Sequence, residues 1–224
     1  MSTISRGKKG EKKVKDLLEK DKYFHKVIND ATFLTEKSEM THQIDHVVLH
    51  EHGVFVIETK NYYGQIISDT GEPFWIKIIN GKKEIISNPL NQNKTHTKIV
   101  KRILGKEVDV VPVIVFAKNN APYMGDENVI NLKDLLLFLE TYPYKKILTK
   151  EEIMAFWRLL KENCAKISKK EHLENISYLK QIKKENKMEI EEAIQSGICP
   201  RCGAKIIQKD YNFKCSKCDF KFKL

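Results

Sequence analysis

The sequence predicts an α/β fold, a mixed sheet flanked by helices, followed by a helical connector and a small cysteine-stapled module. Three observations carry this expectation. Short apolar runs rich in Ile, Val, Phe and Trp fill the stretch from Phe24 to Ala117, apolar residues recur at helical spacing on either side of it, and four of the five cysteines fall in the last thirty residues. The expected boundaries are 1–145 for the main domain, 146–196 for the connector and 197–224 for the terminal module.

From the N-terminus, Val14, Leu17 and Leu18 stand among lysines and glutamates and predict an amphipathic helix over Arg6 to Asp21. Strands are expected at Gln43 to Leu49, Gly53 to Thr59, Gln65 to Ser68, Phe74 to Ile79 and Glu84 to Ser87, punctuated by Gly, Asn and Asp. Pro89 opens a second helix, Leu90 to Leu104, and Val108 to Ala117 is almost continuously apolar, the texture of a strand covered on both faces. Leu132 to Leu139 adds a short helix. Beyond Pro143 the composition turns to lysine and glutamate. Thr149 with Glu152 and Ser168 with Glu171 match the capping-box pattern, so two more helices are expected, the second long and polar and ending near Gly197.

A composition of 41% hydrophobic and 31% charged residues excludes global disorder, and no run of about 18 apolar residues exists to cross a membrane. The expected setting is therefore cytoplasmic, away from membranes. A formal net charge of +10 attracts polyanions, with nucleic acid the commonest candidate and an anionic membrane surface the other, and charge alone gives only the class of partner. Cys164 stands apart from the other cysteines and is expected as a buried helix residue.

The acidic site is read from two adjacent strands. If Glu51 and His52 form the turn, His50 faces Gly53, and counting back along both strands sets Asp45 opposite Glu58, with Lys60 on the same face. Like charges facing each other across a sheet are unfavourable unless a cation neutralises them, and a hard divalent ion held by carboxylates does so. Magnesium or manganese there, with Lys60 beside it, suits phosphodiester hydrolysis. His42, His46, His50 and His52 surround the same hairpin, but alternation sets His42 and His46 on the face opposite Asp45, and they are not read as a transition-metal site.

These elements resemble the nuclease-related (NERD) domain, placed in the PD-(D/E)xK restriction-endonuclease-like superfamily. The resemblance spans about Gly7 to Val115 and rests on Gly7-Lys8-Lys9-Gly10-Glu11, Gln43-Ile44-Asp45-His46, Gly53 through Asn61 with Glu58 and Lys60, Gly64, Trp75 and Asn88-Pro89-Leu90-Asn91-Gln92. It implies a restriction-endonuclease-like sheet and a metal-dependent endonuclease. Asp45 and Glu58 would be the metal ligands, Lys60 would be catalytic, Glu11 would reach the site from the first helix, and Gln92 would support it. The competing expectation is a non-catalytic nucleic-acid-binding or assembly module on the same fold.

Cys199 and Cys202, then Cys215 and Cys218, form two pairs with two-residue gaps, a spacing that suits closed, structural four-thiolate zinc. Strands are expected at Lys205 to Ile207 and Asn212 to Lys214. The pattern resembles the four-cysteine zinc ribbons of type I DNA topoisomerases. Arg201, Lys205, Lys214 and Lys217 are the candidate phosphate contacts, with Tyr211 and Phe213 candidates for base stacking. The other reading of the aromatics is that they form the ribbon's own core.

Overall fold

A computed structural model describes residues 3–34, 41–68, 74–122, 128–165, 169–209 and 212–223, in two compact units, Met1–Lys166 and Ile167–Leu224. In the first unit, α1 (Thr3–Leu18) leads into strands β1 (His25–Leu34), β2 (Thr41–His50) and β3 (Gly53–Lys60). Strands β4 (Gln65–Ile67), β5 (Phe74–Ile79) and β6 (Lys82–Ser87) follow, then α2 (Pro89–Leu104), β7 (Val110–Phe116), β8 (Val129–Asn131), α3 (Leu135–Thr141) and α4 (Lys150–Asn163).

The main sheet is mixed, with strand order β1-β2-β3-β7-β8; β1, β2 and β3 run antiparallel, and β3, β7 and β8 run parallel. Every residue of β3 from Gly53 to Thr59 is buried, because helices cover both faces. Val47, Leu49, Val54 and Val56 pack with Ile99 and Val100 of α2 and Ile153 and Leu160 of α4. On the reverse face Val48, Phe55 and Ile57 pack with Val14 and Leu18 of α1 and Leu135 and Leu139 of α3. Strands β4, β5 and β6 form a separate antiparallel sheet, anchored by the buried Trp75, whose ring stacks 6.4 Å from that of Phe116. Gly64 is essential to that connection: its φ is +84°, and a Cβ there would lie 2.0 Å from the carbonyl oxygen of Ile78.

Helix α4 belongs to this first unit, although the sequence sets the start of the connector at residue 146; buried Leu148, Ile153 and Leu160 tie it to the sheet. It opens on the expected capping box, with Thr149 and Glu152 each bonding the other's backbone. The second capping pair, Ser168 with Glu171, includes a residue outside those described. Cys164 is half-buried and caps the end of α4 instead of lying within it.

The second unit holds α5 (Lys169–Ser196) and a three-stranded antiparallel sheet of β9 (Ile206–Lys209), β10 (Asn212–Cys215) and β11 (Lys221–Lys223). Ala193 of α5 is buried with Ile206, Phe213 and Phe220, so the last turns of the helix are part of the ribbon's core. Among the described residues no helix is long and apolar enough to cross a membrane.

Candidate active site and metal centre

Asp45 sits where two ladders break. On the β3 side the register runs from His50 opposite Gly53, as the turn predicts, to His46 opposite Ile57, and stops one pair short of Asp45 and Glu58. On the β1 side Asn29 pairs with His46 and Ala31 with Ile44, while Asp30 between them takes φ +53°. The inward parity changes here on both strands: the same core takes Ile28 and Val47 before the break but Ala31 and Ile44 after it. Asp45 therefore leaves the regular pleat, and its Oδ2 accepts the backbone N–H of Thr59 at 2.7 Å, a bond that clamps the two diverging strands.

Glu58 is buried, and its two oxygens face different partners. Lys60 Nζ donates to Oε1 at 2.6 Å, and His96 Nδ1 of α2 lies 3.4 Å from Oε2. Lys60 also donates to Gln92 Oε1 at 3.3 Å. The expected Asp45, Glu58, Lys60 and Gln92 are thus gathered at one end of β3. Glu11 is half-buried on α1, near enough for its charge to act on Asp45. The helix approaches this closely because Gly10 has no side chain: a Cβ there would lie 2.8 Å from Asn61 Cβ. Asn61 in turn donates to the carbonyl oxygen of Arg6 at 2.6 Å.

Electrostatics separates the two carboxyls. Burial, then the charge of Glu58, and more weakly that of Glu11, push Asp45 up to about 8 against the pull of the Thr59 amide. Burial also works to raise Glu58, but His96 and Lys60 outweigh it and hold the group below its ordinary value. For Lys60, burial opposes the charge and Glu58 restores it, leaving the ammonium more firmly protonated than usual. A carboxyl pushed up beside one held down marks a site short of positive charge, and two carboxylates are a donor set for a hard cation. Among the described residues no group of three or more His, Cys, Asp or Glu side chains gathers at this pair closely enough to hold a metal. A cleft of about 430 Å³ opens beside Lys60 and Gln92, walled by the start of α1, by Asn61, Tyr62 and Tyr63, and by the β5–β6 hairpin.

The family model for the nuclease-related domain matches residues 6–117, which include Glu11, Asp45, Glu58, Lys60 and Gln92. The chain belongs to the nuclease-related domain family. Over 164 residues it is 32% identical to an uncharacterised protein of Bacillus anthracis, covering 70% of this chain and 77% of the relative. No solved structure matches it.

Sequence reading missed His96 and Asn93, the residues that join α2 to the site. Asn93 is fully buried and donates to the carbonyl oxygens of Val56 and Val113 at 2.9 and 3.0 Å, bridging β3 and β7. Their signal was present: Asn93 and His96 share a helix face with Ile99, Val100 and Leu104, where a polar residue needs a partner. Of the hairpin histidines, His46 is buried with Nδ1 2.7 Å from Asn29 Oδ1, and burial brings it down to about 4. His50 is buried beside Asp21, its Nε2 3.2 Å from the carboxylate.

In the second unit Cys199, Cys202, Cys215 and Cys218 converge, their sulfurs all within 4.8 Å of one another. Cys199 and Cys218 are 3.6 Å apart and Cys202 and Cys215 3.4 Å, near the roughly 3.8 Å edge of a tetrahedron with metal–sulfur bonds of about 2.3 Å. The amides of Cys218 and Lys217 each donate to Cys215 Sγ at 3.3 Å and bring that thiol down to about 6. The cluster fits a zinc ribbon. Lys205, Lys214 and Lys217 are exposed, whereas Arg201 pairs with Glu189 at 3.3 Å and lies 5.1 Å over the Phe220 ring. Phe213 faces the core and is not available to stack on bases, because so small a module has few other apolar side chains to bury. Tyr211 lies outside the described residues.

Proposed function

We propose that the first unit is a metal-dependent endonuclease of the PD-(D/E)xK type that hydrolyses phosphodiester bonds in DNA, and that the ribbon's exposed lysines help hold the polyanion. The observation that carries this reading is the half-buried Asp45 beside the buried Glu58, with the Lys60 ammonium held 2.6 Å from Glu58. Asp45 and Glu58 would hold a divalent cation, Mg²⁺ or Mn²⁺, which when bound polarises the phosphodiester and eases deprotonation of the attacking water. The Thr59 amide fixes the Asp45 carboxylate, and His96 fixes that of Glu58. Lys60, kept charged, faces the cleft and donates to the attacking water or to the developing phosphorane oxygen, while Gln92 orients it. In the second unit the four cysteines would hold a structural Zn²⁺, whose closed coordination leaves no open position for chemistry.

The deciding experiment incubates supercoiled, linear and single-stranded DNA with the purified protein in Mg²⁺ or Mn²⁺, beside Asp45→Ala, Lys60→Ala and a chelator control. Metal-dependent cutting lost in both variants supports the enzyme. If no DNA is cut while wild type and variants retard it in a salt-sensitive way, the chain is a binding module instead.

A further inference from the structure

The cleft beside Lys60 is built for more than a backbone phosphate. Its volume, about 430 Å³, falls within the roughly 300–1,000 Å³ of pockets that take a small molecule. It could admit a single nucleotide and is far too small for a duplex. Its composition is divided. Tyr62, Tyr63, Ile79 and Ile86 give aromatic and apolar wall, while Arg6, Lys60 and Lys77 bring positive charge. The one carboxylate on the wall, Glu84, is largely exposed and pairs with Lys77 at 2.7 Å, and three cations against one carboxylate leave the wall positive. Tyr63 is half-exposed, with the Lys118 ammonium 4.3 Å over its ring, which adds a further cation at the rim.

An apolar wall does nothing for a phosphodiester passing over a surface, and cations do nothing for an uncharged base; a pocket carrying both suits a ligand that has both. Asn61, Ser87 and Gln92 add amide and hydroxyl groups able to meet a base edge. Because Lys60 and Gln92 also belong to the acidic site, the occupant must be continuous with the strand being cut. Resting on the nuclease reading for that last step, we propose that the cleft receives one unpaired nucleotide adjoining the scissile phosphate, so that the substrate is single-stranded or locally unpaired nucleic acid. The nucleotide is held by its phosphate through Arg6 and Lys77 and by its base against the Tyr62, Ile79 and Ile86 wall, with no requirement for base identity.

Binding without turnover tests this. The full chain, with no divalent ion added, is titrated into a single-stranded oligonucleotide of about twelve mixed nucleotides carrying one 2-aminopurine, and into a blunt duplex of the same length. The expected result is a change in 2-aminopurine emission and affinity about tenfold tighter for the single strand. Ile86→Trp, which fills the cleft, and Lys77→Gln, which removes a cation and keeps the backbone, should each remove most of that preference while duplex affinity stays as it was. Thermal melting of each variant checks folding, and Lys77→Gln serves if Ile86→Trp does not fold. Duplex binding equal to or tighter than single-strand binding, or full single-strand preference in both variants, overturns the proposal. A protein that prefers single strands but cuts nothing refutes the nuclease and leaves the cleft standing. One that cuts duplex without the preference does the reverse.

Discussion

The backbone N–H of Thr59 donates to Asp45 Oδ2 at 2.7 Å at the point where the ladder between β2 and β3 has ended. A side chain thus closes a gap that a main-chain bond would otherwise fill, and a carboxyl that burial disfavours is held in place by the fold.

Asp45 should therefore cost the metal-free protein stability. Its folded value of about 8 lies above the ordinary 3.8, so the fold favours the protonated form, and stability falls as pH rises from about 4 towards 8. Asp45→Asn keeps an oxygen for the Thr59 amide and removes the charge. At pH 8 without metal the variant should be more stable by about 1–2 kcal/mol, a few degrees in Tm, with the difference vanishing near pH 4. Added Mg²⁺ or Mn²⁺ should raise the Tm of wild type alone. Melts across this pH range check it; a variant less stable at every pH refutes it.

Lys60 is expected to matter for chemistry more than for binding. Lys60→Gln leaves buried Glu58 facing His96 alone, so stability should drop by about 1–3 kcal/mol. Cleavage should fall by about 100-fold or more, and DNA retention should change little. Gln92→Ala, which only loosens the ammonium, should lose about tenfold. Rates measured well below each variant's Tm separate the two effects. Equal losses of binding and rate in Lys60→Gln would show a role in holding substrate instead.

Acid should weaken the fold through His50. Burial holds this histidine below its ordinary 6.5, against the opposing pull of Asp21. Its folded value is lower than its unfolded one, so its contribution is complete above about pH 6.5 and is lost as pH falls below that, at up to about 1.4 kcal/mol per unit. His50→Gln, titrated by urea unfolding from pH 7 to 5, should show a shallower loss than wild type. The same slope in both would place the acid sensitivity elsewhere.

Much of the site was legible because charge at the end of an apolar strand is conspicuous. Asp45, Glu58 and Lys60 stood out against Val47, Val48 and Ile57, and the turn at Glu51 and His52 set the register. What was hidden depended on irregularity or on distant packing. Strand β1 carries Asn29 and Asp30, turn-forming residues in mid-strand, and the positive φ of Asp30 marks the break of the β1–β2 ladder beside Asp45. The sheet of β4, β5 and β6 stands apart from the main one because Trp75 turns it onto Phe116, a contact that alternation cannot reveal. The place of His96 on a buried helix face announces that it needs a partner, but that the partner is Glu58, 38 positions earlier, only the packing reveals.

Removing zinc should unfold the ribbon and spare the first unit. Among the described residues, the ribbon's buried apolar cluster is Ala193, Cys199, Ile206, Phe213, Cys215 and Phe220, of which two are cysteines of the metal cluster. So small a core cannot offset the entropy of ordering the chain, so on the zinc reading proposed above the four thiolates and a bound metal would supply the difference. The first unit builds both faces of its sheet without those cysteines. A strong chelator, or Cys215→Ala, should collapse the dispersed amide resonances of Ile206 and Phe213 and fray the end of α5 at Ala193. Resonances of β3 and β7 should not move. Dispersion retained at Phe213 after the metal is stripped would show that the aromatic core holds the ribbon by itself, and Cys215→Ala should then be nearly neutral.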